Sequence, residues 1–110
     1  MTYEEYHNLA AEEGELAAYA QATSLDWAQH LYALPPRMRG GLVRWVLFGI
    51  RPGDFLCAVL SNDLMAALGR ADDVNKNLLW EFGLFLHNGC PGECWGSRDL
   101  FNNWKGMFPQ

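Results

Sequence analysis

Apolar positions along this chain recur at helical spacing, and Gly, Pro and capping residues punctuate them. Tyr3, Tyr6, Leu9, Ala10, Leu16, Ala17 and Ala20 mark an acidic amphipathic segment over 3–21, either one helix or two parted at Gly14. Ser24 is placed as an N-cap for a short helix through Trp27, His30 and Leu31, with Asp26 in its first turn. Pro35 and Pro36 stop that helix. Pro36 suits the first turn of the next, where its missing N–H does no harm.

That next helix is expected to run to about Phe48. Leu42, Trp45, Val46 and Gly49 fall at i, i+3, i+4 and i+7 on one face, and Arg37 and Arg44 share another. Gly49 is the stop signal. Pro52 opens a helix whose stripe of Phe55, Leu56, Val59, Leu60, Leu64 and Ala67 predicts one long element ending at Gly69. Asp72 is expected to cap a last long helix, with Leu78, Phe82, Phe85 and Leu86 as its buried face. Asn88-Gly89 ends it. CPGECWG then makes a tight loop, and Ser97 starts a short helix with Leu100, Phe101 and Trp104. No sustained alternation predicts a strand. The expected class is all-α, a compact bundle of five or six helices in one domain over 1–110.

Composition fits a helical domain with its own core. Of 110 residues, 50% are apolar and five are Trp, which is enough to bury a core without metals or disulfides. No long uncharged apolar run predicts a transmembrane helix, and the acidic start lacks the pattern of a signal peptide. A cytoplasmic protein is expected. Three cysteines without a signal peptide do not suggest a disulfide framework.

The net charge of −5 argues against a general duplex-DNA binder. The basic residues are uneven. None precedes Arg37, whereas Arg37, Arg39, Arg44 and Arg51 crowd the middle. Residues 1–33 therefore form an acidic segment, read either as a solvated helix face or as a contact for a basic partner.

Reaction motifs are absent. His87, Cys90 and Cys94 are ligand-like, but their spacing is C-x3-C and no fourth ligand is near. Cys94, His87 and Glu93 have the residue types of a thiol catalyst, although a loop closing onto the core explains them more simply. Arg51-Pro52-Gly53 precedes a helix start, which can hold an anion or serve only as a connection. No catalytic residue, metal site or cofactor is assigned. The sharpest cluster is Asn62, Asp63, Arg70, Asp72 and Asn75. If the helices fold back on each other, these residues can bind a nucleotide. Alternatively, Asp63 pairs with Arg70 or with a buried backbone group while Asp72 and Asn75 cap a helix. Arg44 and Trp95 complete the binding candidates, Trp95 as an anchor for a partner.

LPPRMRGGLVRWVLFGIRPGDFLCAVLSNDLMAALGRADDVN, followed by LFLHNGCPGECWGS, resembles a family of small uncharacterised proteins encoded by bacteriophages and prophages. The carrying positions include Pro35, Pro36, Gly41, Arg44, Trp45, Gly49, Pro52, Gly53, Asn62, Asp63, Leu64, Arg70, Asp72, Asn75, Cys94, Trp95 and Ser97. The resemblance spans 34–98. It implies a phage accessory protein acting in a bacterial host cell.

The expected function is non-enzymatic: binding a host protein, such as a CRISPR effector, to inhibit or redirect it. The rivals are a sponge for an immune signalling nucleotide and a DNA-binding regulator that uses the Arg37–Arg44 helix.

Overall fold

The computed structural model describes all residues from Met1 to Gln110 and contains no strand. Its α-helices are α1 (Tyr3–Glu13), α2 (Glu15–Ala22), α3 (Leu25–Tyr32), α4 (Pro36–Phe48), α5 (Asp54–Leu60), α6 (Leu64–Arg70), α7 (Leu79–Asn88) and α8 (Arg98–Asn103). Short 3-10 turns cover Asn75–Leu78 and Gly92–Cys94. The all-α class stands. The count of five or six helices does not, because the 3–21 segment takes the two-helix reading and the long element expected after Pro52 is divided.

The first division is at Gly14. Its φ of 95° and ψ of 166° lie where only glycine rests comfortably. Upstream, Thr2 and Glu5 close a capping box: the Glu5 N–H donates to Thr2 Oγ1 at 3.1 Å, and the Thr2 N–H donates to Glu5 Oε1 at 3.0 Å. The Thr2 N–H, followed by the Thr2 hydroxyl, holds the Glu5 carboxyl below its ordinary range.

The second division separates α5 from α6 at Ser61-Asn62-Asp63. Ser61 Oγ donates back to Cys57 O at 2.8 Å. Asn62 takes a left-handed φ of 60°, which asparagine tolerates better than most residues. Asp63 then caps α6, accepting the Ala66 N–H at 3.0 Å. Periodicity ran through this point, but local side-chain hydrogen bonds end the helix there. Gly69 does not end α6. It lies inside the helix, and Ala71 is the C-cap.

α4 is the centre of the fold. Leu42, Val43, Trp45, Val46, Leu47 and Phe48 are all buried, so this helix is covered on more than the one face its stripe suggested. A 23-residue core gathers around it, from Tyr6 to Phe101. Trp45 stacks on Phe101 with centroids 4.5 Å apart and donates its indole N–H to Cys94 O at 3.0 Å. Tyr19, fully buried on α2, donates its hydroxyl to Gly89 O and so ties α2 to the end of α7. That burial pushes the Tyr19 hydroxyl well above its ordinary pKa.

The last carbonyls of α4 need partners, as at any helix end. The C-terminal tail supplies them. Trp104 donates its indole N–H to Trp45 O at 2.9 Å. The Met107 and Phe108 amides donate to Val46 O at 3.0 Å and Leu47 O at 2.8 Å. Two backbones approach closely here. A Cβ on Gly106 would lie 2.6 Å from Leu47 O and from Phe48 backbone atoms. Glycine is required for that contact.

Candidate interaction surface

Most large apolar side chains of α6 find no core to enter. α6 has the sequence LMAALGR, and Ala67 is its only buried residue. Apolar residues fill five consecutive positions from Leu64 to Leu68, more than one helix face can bury. Leu64 is 62% exposed, Met65 75% and Leu68 44%. On α7 the buried side is Phe82, Phe85 and Leu86, and the other side leaves Trp80 at 74% exposure. Val74 and Leu84 are exposed as well. Six of the eleven exposed large apolar side chains thus fall between residues 64 and 84.

A groove joins the two helices. It has a volume of about 170 Å³, and its walls include Val59, Leu64, Ala67, Leu79, Phe82 and Leu86. Leu64 belongs to both the wall and the exposed set, whereas Trp80 lies on α7 away from the wall residues Phe82 and Leu86. Asn62 and Asp63 add the polar end of the groove. Solvent-facing apolar side chains are common one at a time. A run of this density beside a groove is the usual mark of a contact surface. Trp and Met are the residue types that anchor such contacts.

The sequence cluster disperses in the structure. Asn62 borders the apolar groove. Of the two partners open to Asp63, it takes the backbone one: it caps α6 by accepting the Ala66 N–H and makes no ion pair with Arg70. Arg70 instead reaches back to Asp54, with Nη1 and Oδ2 3.3 Å apart. Asp72 accepts the Val74 and Asn75 amides and pairs with Arg37. It therefore closes the turn leading into the 3-10 segment, whose N-cap is Val74, and does not cap a long helix; α7 starts only at Leu79. The Asn75 amide, followed by Arg37 and the Val74 amide, keeps the Asp72 carboxyl below its ordinary range. Asn75 is 97% buried (3% exposed), and its Oδ1 has no hydrogen-bond partner. The five residues do not line one nucleotide pocket.

Arg44 faces the N-terminal helices, 3.8 Å from Glu15, whose carboxylate accepts the Tyr6 hydroxyl. Arg39 donates to Leu34 O and Tyr32 O. With Arg37 on Asp72, each of the three arginines of α4 is engaged within the fold. Trp95 is half-buried and meets the His87 ring edge-on, with centroids 4.8 Å apart. The exposed tryptophan is Trp80, on α7.

Cys90 and Cys94 are buried thiols, and Cys57 is half-buried. The Cys94 side chain and burial together push the Cys90 thiol far up, against formation of a nucleophilic thiolate. No group of three or more His, Cys, Asp or Glu side chains is arranged to hold a metal ion. No helix is long and apolar enough to cross a membrane. The chain matches no protein-family model, no curated protein and no solved structure.

Proposed function

We propose that this chain is a non-enzymatic accessory protein that binds a host protein and inhibits or redirects it. The supporting observation is the density of exposed apolar side chains on α6 and α7, with Met65 and Trp80 the most exposed of them. Burying them against a partner stabilises the complex by removing apolar surface from water. The phage resemblance of residues 34–98 supplies the setting. It points to a bacterial defence component, such as a CRISPR effector, as the class of target.

The rival readings have less support. A DNA regulator would need a free basic face on α4, where Arg44 turns to Glu15 and Arg39 to backbone carbonyls, and the net charge of −5 opposes it. A nucleotide sponge built on Asn62, Asp63, Arg70, Asp72 and Asn75 would need those side chains to converge, and no one cleft is lined by all five.

The test is affinity capture from host lysate with the wild-type chain and with Trp80→Ser and Met65→Ser. Loss of a central Trp anchor costs about 2 kcal/mol or more, roughly a thirtyfold fall in affinity. Both variants should retain the wild-type circular dichroism and melting temperature, since both sites are exposed. A captured protein retained equally by wild type and both variants would overturn the proposal. So would a dimer of this chain in ultracentrifugation that Trp80→Ser abolishes, which would assign these side chains to a second copy.

A further inference from the structure

A second cleft, of about 270 Å³, shares only Ala58 and Asp63 with the apolar groove. Its walls bring together Arg51 from before α5, Arg70 from the end of α6 and Arg98 from the start of α8. Three of the six arginines in the chain therefore converge from stretches far apart in sequence. Asp54 and Asp63 are the carboxylates in the same walls.

The charges in this cleft do not balance. Asp63 is committed to the α6 cap. Asp54 pairs with Arg70 at 3.3 Å, with both side chains largely in solvent. Such a pair contributes little net stability, so a stronger anion can replace Asp54 on Arg70. Arg51 and Arg98 have no carboxylate within ion-pairing distance; the ion pairs formed elsewhere are Arg37–Asp72, Arg44–Glu15 and Lys76–Asp73. Arg51 lies over the Phe101 ring at 5.1 Å, which holds its guanidinium at the cleft without neutralising it. In a chain with thirteen acidic side chains against eight basic ones, two arginines left without a carboxylate partner at one cleft mark a place for an external anion.

The geometry points to a site for the terminal phosphate of a small phosphorylated molecule. A doubly charged phosphate monoester matches the two unpaired guanidiniums, and planar Arg donors suit its oxygens. The cleft is smaller than the roughly 300–1,000 Å³ of pockets that enclose a whole organic ligand. It therefore takes the phosphoryl end and leaves the rest in solvent. This site is independent of the exposed α6–α7 side chains, and either can fail without the other.

The test is an NMR titration of the arginine Nε–H signals of the full chain at low ionic strength. The probes are inorganic phosphate, adenosine monophosphate and adenosine. Phosphate and the monophosphate should give saturable shifts at Arg51, Arg70 and Arg98, weakening as salt is added. Adenosine should give none. Arg51→Gln and Arg98→Gln should each weaken phosphate binding about tenfold, as expected on losing a charge-assisted hydrogen bond. Arg37→Gln, on α4, should leave it unchanged. Absence of saturable shifts in the wild-type chain would overturn the site, whatever the variants do. Equal response to adenosine and its monophosphate, or wild-type affinity in both Gln variants at the cleft, would also overturn it.

Discussion

Gly106→Ala, compared with Gly14→Ala, tests whether the C-terminal tail holds the end of α4. Both glycines have a positive φ, 97° at Gly106 and 95° at Gly14. A side chain in such a conformation costs about 1–3 kcal/mol, and that part is common to both variants. At Gly14 a new Cβ meets nothing within 4 Å. At Gly106 it would lie 2.6 Å from Leu47 O and from Phe48 C and Cα. Those are backbone atoms of the last turn of α4 and cannot rotate aside. The tail must lift, and the Met107–Val46 and Phe108–Leu47 hydrogen bonds go with it. Each is worth about 1 kcal/mol net. Gly106→Ala should therefore be less stable than Gly14→Ala by about 2 kcal/mol, from a total of roughly 5–15. Urea unfolding followed by tryptophan fluorescence measures that difference, and amide exchange at Met107 and Phe108 locates it. Two variants of equal stability would refute the reasoning. So would tail amides that stay protected in Gly106→Ala.

Two further outcomes follow from single side chains. The depressed pKa of Asp72 means that its contribution to stability is present above the ordinary value of 3.8 and is lost as pH falls through the lower, folded value. An NMR titration of its carboxyl should show a midpoint below 3.8, and Asp72→Asn should flatten the acid limb of the stability profile; a midpoint at or above that value would remove the proposed cause. Asn75→Leu replaces a buried, unpartnered acceptor with an apolar side chain of similar size. It should raise stability by about 1 kcal/mol in urea unfolding, and a loss of stability would show that Oδ1 has a partner in solution.

Much of this fold was legible from local signals. Thr2, Ser24 and Ser97 cap helices with their own hydroxyls. Pro36 starts α4, and Gly49 closes it at a φ of 69°. Such signals depend on atoms a few residues apart, so the chain displays them directly. The α5–α6 break was also present locally, as Ser-Asn-Asp, but the apolar stripe ran through it. Two short helices can carry the same periodicity as one long helix, and the left-handed Asn62, between the Ser61 back-bond and the Asp63 cap, separates them.

The chain by itself determined an all-helical fold, most helix boundaries and an excess of acid over base. Those properties follow from side-chain chemistry and short-range backbone geometry. Tertiary structure alone decided which apolar residues stay outside: Leu64 reads as part of a buried stripe, yet it is 62% exposed. It also dispersed the cluster from Asn62 to Asn75 and gathered Arg51, Arg70 and Arg98 at one cleft. Burial and charge proximity depend on where separate helices come to rest. That depends on packing around α4 and on the tail that covers its carbonyls, and no spacing along the sequence encodes it.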